Sequence, residues 1–456
     1  MSYKLHQLDF SIPSMQVFES IKNEDWSIFL NSNSKHYPDQ RFDILSAKPK
    51  KKIIFSDDNT YLINGEQQPK KSELCPFELL KKIMSDYESN SNPEIPFSGG
   101  AIGYISYDYG NHLHNIKNKN KCFNHPLFAF GIYDWAIIYD YVQEKSFLLY
   151  HEKNSITENI INNYQEKLVH SLTPFQITSR CESNMNYDLY EMKLLKILEY
   201  IRAGDCYQVN LSQMFSVSYE GDEYELYKNL NKSFASPYSA YMNYPFGKIL
   251  SFSPERFLSI KDNIVETKPI KGTRPRSDDP HVDKKNIEDL KSSQKDKAEN
   301  LMIVDLLRND LGMNCKKGSV KVDKLFDIET FANVHHLVST IHAEIDSESN
   351  IYNLIRDAFP GGSITGAPKL RAMQIIHELE PNNRSIYCGS IGYISFDEKT
   401  DFNISIRSML SIDNNLYFWG GGGIVNDSDI RSEYNETISK SNRFLIYFLT
   451  NKFKVS

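Results

Sequence analysis

Between residues 188 and 205 the apolar positions recur at helical spacing. Leu194, Leu195, Ile197, Leu198 and Ile201 form one stripe, Asp188 with Glu191 offers a capping pair, and Gly204 offers a stop. The next segment, YQVNLSQMFSV, alternates instead. Val209, Leu211, Phe215 and Val217 share one face with Gln213 as the polar interruption, while Gln208, Asn210, Ser212 and Met214 share the other. That pattern predicts a strand whose mostly polar face suits either a pocket wall or solvent. Upstream, FAFGIYDWAIIYDY followed by FLLY (Phe147 to Tyr150) predicts paired strands around a polar turn. Short strand patterns and polar loops, such as residues 86–96, fill the rest of an N-terminal region spanning 1–175. A polar stretch, 171–187, reads as a linker into a second domain, 185–456. GYISYD (103–108) returns as GYISFD (392–397), which fits either two related strand-and-turn units in the two halves or a chance recurrence of a short pattern.

Composition narrows the function classes. The 456 residues carry 52 basic and 59 acidic side chains, a net charge of −7, which lacks the basic footprint of a nucleic-acid binder. No stretch approaches the roughly 18 apolar residues of a membrane-spanning helix, and MSYKLHQLDF is not a secretory leader. The six cysteines (75, 122, 181, 206, 315 and 388) form no C-x-x-C pair, so a reducing cytoplasm is expected.

Several residues carry candidate chemistry. Lys271 sits in ETKPIKGTRPR, between an apolar run and a Gly-Thr turn, with Lys268, Arg274 and Arg276 as cationic neighbours. A lysine is nucleophilic only when neutral, which at an ordinary pKa of about 10.4 needs burial or nearby cations. The alternative is a structural lysine in a basic loop. Asp296 with Glu299, and Glu433 with Glu436, are spaced i, i+3, so each pair shares one helical face. Taken singly, each reads as a solvated face; facing one cavity, they would suit Mg²⁺. Lys440, four residues after Glu436, fits a salt bridge or an anion contact. Glu255 follows a proline 16 residues before Lys271 and is a candidate proton donor or an ion-pair partner. FPGGSITGAPK is a Gly-rich turn entering a helix, favourable to anions but lacking the phosphate-loop signature. The GGGG at 420–423 follows a short strand and admits close backbone approach. His335 and His336, adjacent in a strand, would face opposite ways.

Together, AGDCYQVNLSQ, SPERF, PIKGTRPR, DKAENLMIVDLLRNDLG, FPGGSITGAPK, CGSIGYISFD, SIRSML and GGGGIV…SEYNET resemble the chorismate-utilising enzymes, whose members form anthranilate, aminodeoxychorismate, isochorismate or salicylate. The resemblance is dense from 185 to 456. It implies an α+β fold, a large two-lobed β-sandwich with flanking helices. Gln208 stands where water-adding members carry a lysine, and PIKGTRPR replaces the PIAGTRPR usual in anthranilate-forming members. The resemblance therefore implies a Mg²⁺-dependent, transaminase-type amino transfer to chorismate on the route to p-aminobenzoate and folate, with anthranilate formation as the alternative. It implies Lys271 as nucleophile and Glu255 as acid. Glu299 and Glu436 would ligate Mg²⁺, with Asp296 and Glu433 behind them. His336 would lie near the ring carboxylate. Arg407, Tyr387 and Lys440, with the backbone at Gly421 and Gly423, would hold the enolpyruvyl carboxylate, and Gly272, Thr273 and Ser363 would line the ring pocket. The chain shows no amidotransferase segment, so ammonia is expected from a separate glutamine amidotransferase subunit, component II.

Overall fold

The computed structural model describes residues 3–37, 40–87, 92–117, 122–163, 173–331 and 334–450. The loop 86–96 and the linker 171–187 fall partly outside these. Two antiparallel sheets, of 13 and 12 strands, dominate the architecture. Period-two alternation decides which core each residue joins. Ile28, Ile44, Ile138 and Met242 of the first sheet enter the core shared with Ile53, Ile102 and Leu258 of the second. Their chain neighbours Phe29, Leu45, Ile137 and Tyr241 point the other way. There they pack under helices that contribute Phe18, Tyr224, Tyr227 and Phe444.

Both sheets contain the same arrangement twice. Outward from the middle of the first sheet run Ser27–Asn31, Phe42–Ser46, Trp135–Asp140, Lys145–Tyr150 and Lys4–Leu8. In the other direction run Tyr238–Tyr244, Gly247–Ser253, Ser408–Ile412, Asn415–Ile424 and Gln208–Glu220. Each series starts its chain at the outer strand, crosses a helix (Ser14–Glu19 or Glu223–Phe234), and then enters the central strand. The second sheet repeats this about Gly100–Ile105 and Ser390–Ser395, paired with Gly103 opposite Gly392. The echo GYISYD/GYISFD therefore lies on the seam where the halves meet.

Three local expectations change. The run 128–141 is not one strand: it breaks at Asp134, so Phe128–Tyr133 lies in the second sheet and Trp135–Asp140 in the first, where it pairs with Lys145–Tyr150. The helix Tyr187–Arg202 is capped by Asn186, whose side chain accepts from Leu189 N, rather than by Asp188. Leu195 is exposed, whereas Tyr190, Leu194, Ile197 and Leu198 are buried and Ile201 packs partly buried against the core.

Candidate active site

The strand Gln208–Glu220 lies beside Asn415–Ile424, which contains all four glycines of GGGG rather than ending before them. Their missing side chains make room for neighbours. A Cβ on Gly421 would stand 2.8 Å from the Tyr387 hydroxyl, and one on Gly423 would overlap the Gln208 amide. One on Gly422 would stand 3.1 Å from Glu433 Oε2 and 3.6 Å from Glu436 Oε1. Glycine is therefore required where the wall touches its contents.

The segment 270–275 is also a strand, not a basic loop. It pairs with Val334–Glu344 across a bulge between Ile270 and Thr273, and Gly272 takes φ +77 within that bulge. At Gly272 a Cβ would stand 2.8 Å from Asp296 Cγ, so the bare glycine lets the helix Gln294–Gly312 close on the strand. The cations near Lys271 in sequence are engaged elsewhere: Lys268 with Glu329, Arg274 with Asp289 and Asp296, and Arg276 with Asp283.

Lys271 Nζ donates to the Ser363 carbonyl at 3.0 Å. Burial lowers the pKa of its amine and Lys440 adds to that, against opposing pulls from Glu255, Glu299 and Glu436. Burial raises the carboxyl of Glu255, with Lys271 the main opposing charge. The two shifts move both groups toward their neutral forms, an amine and a carboxylic acid. Glu255 Oε1, Ser363 Oγ and Gln208 Nε2 are buried without hydrogen-bond partners. Such groups are uncommon in folded interiors, and Glu255 and Ser363 also lie close enough to influence each other.

His336 shares a hydrogen bond with Thr273 Oγ1 through Nδ1 at 2.8 Å, and burial with the nearby Arg407 lowers it to about 3, so the ring is neutral. His335 points the opposite way, to Asp283 and Thr330. Thr273 itself is exposed. Arg407 is enclosed, at φ +51; burial and Arg443 weaken its hold on its proton. Lys440 bridges Glu436 at 2.7 Å, the salt bridge its spacing offers, and donates to the Gly421 carbonyl at 2.9 Å. Tyr387 stacks on Trp419, with ring centroids 5.8 Å apart.

Charge couples the four acidic residues, Glu299 to Asp296 and Glu436, and Glu436 to Glu433. Burial raises the Glu299 carboxyl, and Asp296 and Glu436 add repulsion. Burial raises Glu433 too, with Glu436 adding repulsion, although Ser428 donates to it. In Glu436 burial is outweighed by Lys440, Lys295 and Lys271. Among the described residues no three metal-type side chains converge tightly enough to hold an ion as they stand. The donors are nevertheless all hard oxygens, with Glu433 and Glu436 beside the gap left by Gly422 and Asp296 beside Gly272, which is chemistry that fits a divalent cation.

Sequence reasoning missed the support behind this wall. Arg384 and Glu380, fully buried, form a bidentate ion pair touching Asn210, Ser212 and Ile364. The signal was present in HELEPNNRSIY: two opposite charges, i and i+4, beside a proline where a helix ends.

The chorismate binding enzyme family matches residues 28–445. Aminodeoxychorismate synthase component 1 of Salmonella typhimurium is 41% identical over 432 residues, 94% of each chain. Anthranilate synthase component 1 of Lactococcus lactis is 33% identical, covering 94% of this chain and 96% of that one. The crystal structure of anthranilate synthase component I from Streptococcus pneumoniae superposes with a TM-score of 0.77 at 31% identity, covering 88% of this chain and 91% of that chain. On this match, and on a site assembled from the motifs that carry the likeness, the chain belongs to the chorismate-binding enzyme family.

Proposed function

We infer that this chain converts chorismate and ammonia to 4-amino-4-deoxychorismate, in p-aminobenzoate and folate synthesis. The observation that carries it is Lys271: a half-buried amine biased toward neutrality, held at 3.0 Å on the Ser363 carbonyl and coupled by charge to the buried Glu255. Anthranilate formation is the less supported alternative, since the relatives at 41% are named aminodeoxychorismate synthases and the anthranilate synthase relative stands at 33%.

The proposed reaction runs in two displacements. Lys271 Nζ bonds to C2, the ring double bond shifts, and the C4 hydroxyl leaves as water with a proton from Glu255. Ammonia then bonds to C4, the double bond shifts back, and the Lys271 amine leaves C2. The proton ammonia sheds returns to Glu255. Covalent catalysis divides one difficult substitution into two allylic ones. The neutral His336 would face the ring carboxylate. Arg407, Lys440 and Tyr387, with the Gly421 and Gly423 backbone, would hold the enolpyruvyl carboxylate; a guanidinium fork suits that task. Gly272, Thr273 and Ser363 would line the ring. Glu299 and Glu436 would hold Mg²⁺, with Asp296 and Glu433 behind them, and when bound the ion supplies a Lewis acid and template for the ring carboxylate.

All these residues fall between 255 and 440, which supports assigning 185–456 as the catalytic domain and 1–175 as the N-terminal region. Ammonia would come from a partner glutamine amidotransferase, as the component 1 names of the relatives suggest. No described helix is long and apolar enough to cross a membrane, and all six cysteines are free, which supports a cytoplasmic setting. The test is a product assay with chorismate, Mg²⁺ and free ammonia, resolved by mass spectrometry. p-Aminobenzoate that appears only when an aminodeoxychorismate lyase is added is the expected result. Anthranilate formed without lyase would transfer the chain to the alternative.

A further inference from the structure

Behind the pocket wall lies a pair of charges that touches none of the reacting groups. The side chains of Arg384 and Glu380 are 1% and 5% exposed. Arg384 Nε donates to Glu380 Oε2 at 2.9 Å, and Nη2 to Oε1 at 2.7 Å. The same guanidinium donates through Nη1 to the Ile364 carbonyl at 3.1 Å and through Nη2 to the Asn210 carbonyl at 2.9 Å. Its flat faces lie over Tyr107, at 4.7 Å, and Tyr387, at 5.7 Å. Glu380 Oε1 in turn accepts from Ser212 N and Oγ, both at 2.8 Å.

Every anchored group is one step from the site. Ile364 follows Ser363, whose carbonyl receives the Lys271 amine. Asn210 and Ser212 stand opposite Gly423 and Gly421 in the strand ladder. Tyr387 reaches the position that a Cβ on Gly421 would crowd. A buried ion pair is seldom a net source of stability, because desolvation offsets its attraction and well-packed apolar residues can often replace it. Its worth here is geometric: a rigid guanidinium fork joins a turn, a strand and an aromatic ring that belong to three separate segments.

We propose that Arg384 and Glu380 are positioning residues for the amine chemistry of Lys271, holding the Ser363 carbonyl, the polar strand face and the Tyr387 ring in one register. The inference rests on the chorismate reading above, and two measurements separate its failure from a failure of that reading. The first compares the parent with Glu380→Leu/Arg384→Met, which replaces the pair by apolar side chains, and with Arg384→Lys, which keeps the charge and loses the fork. In whichever variant melts near the parent temperature, kcat should fall at least about tenfold while KM for chorismate stays within about threefold. A folded variant with parental kcat overturns the proposal.

The second measurement needs no turnover. Modification by trinitrobenzenesulfonate, mapped by peptide mass spectrometry, should speed up at least about fivefold at Lys271 in the variants, because the amine loses its fixed acceptor. Lys369, buried against Asp310, reports general loosening. An unchanged Lys271 rate, or a parallel rise at Lys369, overturns positioning. A parent without turnover, with the Lys271 response intact, would refute the reaction and leave the positioning upheld.

Discussion

The N-terminal and C-terminal halves share strand order in both sheets, yet only one half carries the candidate chemistry. The difference lies at the outer end of each series. In the N-terminal half the closing strands, Lys4–Leu8 against Lys145–Tyr150, are short, and no glycine opens them. In the C-terminal half the strand Gln208–Glu220 is 13 residues long and faces four consecutive glycines. The helix that follows each series carries a first-turn glutamate as its fourth residue, Glu158 in one and Glu433 in the other. Only the second is joined by Glu436 and Lys440. Between the second-sheet strands, the N-terminal half inserts Lys70–Ser72 and two short helices, Pro76–Met84 and Tyr107–Leu113, whereas the C-terminal half inserts the strands and helices bearing Lys271, Glu299, His336 and Ser363.

Buried polar groups sharpen the contrast. An open cleft of about 760 Å³, partly lined by the N-terminal half, has Asp43 at its edge. That carboxylate is satisfied by Ser14, Ser32 and Tyr141. Both halves hold other unpartnered buried atoms, Tyr107 Oη, Trp135 Nε1 and Ser146 Oγ among them, but those of Glu255 and Ser363 border Lys271. A satisfied buried carboxylate is architecture; a cluster of unsatisfied groups around a nucleophile is a site.

Substitutions can break this comparison. The largest effect is expected from Lys271→Ala, about 10³-fold or more in kcat, measured by product formation at saturating chorismate. A rate near the parent's would remove the covalent route. Glu299→Gln or Glu436→Gln should cost about 10²-fold at fixed Mg²⁺ and move the Mg²⁺ titration to higher concentration. An unchanged titration would take both residues out of the metal site.

The pH profile of kcat/KM should be bell-shaped. Neutral Lys271 is required, so activity is lost as pH falls through its lowered pKa. Protonated Glu255 is required, so activity is also lost as pH rises through its raised one. Glu255→Gln should erase the alkaline limb, and a limb that persists would assign it to another group.

Symmetry makes its own prediction. Gly103→Ala and Gly392→Ala face each other on the seam, and each Cβ would overlap a backbone carbonyl, Ala129 O or Asp401 O. Each should cost about 2 kcal/mol, by thermal melting, to a similar degree. The smallest effect is expected from Glu158→Gln, under about 0.5 kcal/mol and under about twofold in rate, despite its correspondence with Glu433. A large loss there would mean that the N-terminal half does more than frame the site.

Much of this was legible from residues alone. The spacing of Asp296 with Glu299 and Glu433 with Glu436, the opposed faces of His335 and His336, and the Gly-rich turn all reflect local periodicity, which sequence carries directly. The strand at 270–275 was not legible: its Pro, Gly and Thr read as a turn, and only pairing with Val334–Glu344 makes it a strand. The same holds for the cause of the Lys271 shift. Sequence suggested its basic neighbours, but tertiary ion pairs consume them; burial lowers the amine, and Lys440, distant in the chain, adds to that. Arg384 and Glu380 were missed because their burial is a property of the whole fold.

The seam has a consequence for how such a chain could arise. In both sheets the halves join edge to edge, Ser27–Asn31 on Tyr238–Tyr244 and Gly100–Ile105 on Ser390–Ser395, with antiparallel registers. A half-length ancestor would have exposed two open strand edges and been prone to self-association. Antiparallel edges are self-complementary about a two-fold axis, so its natural form is a homodimer. Fusion of two such copies would make the dimer permanent, free one copy from catalytic duty, and leave the other to collect the insertions that now hold the chemistry.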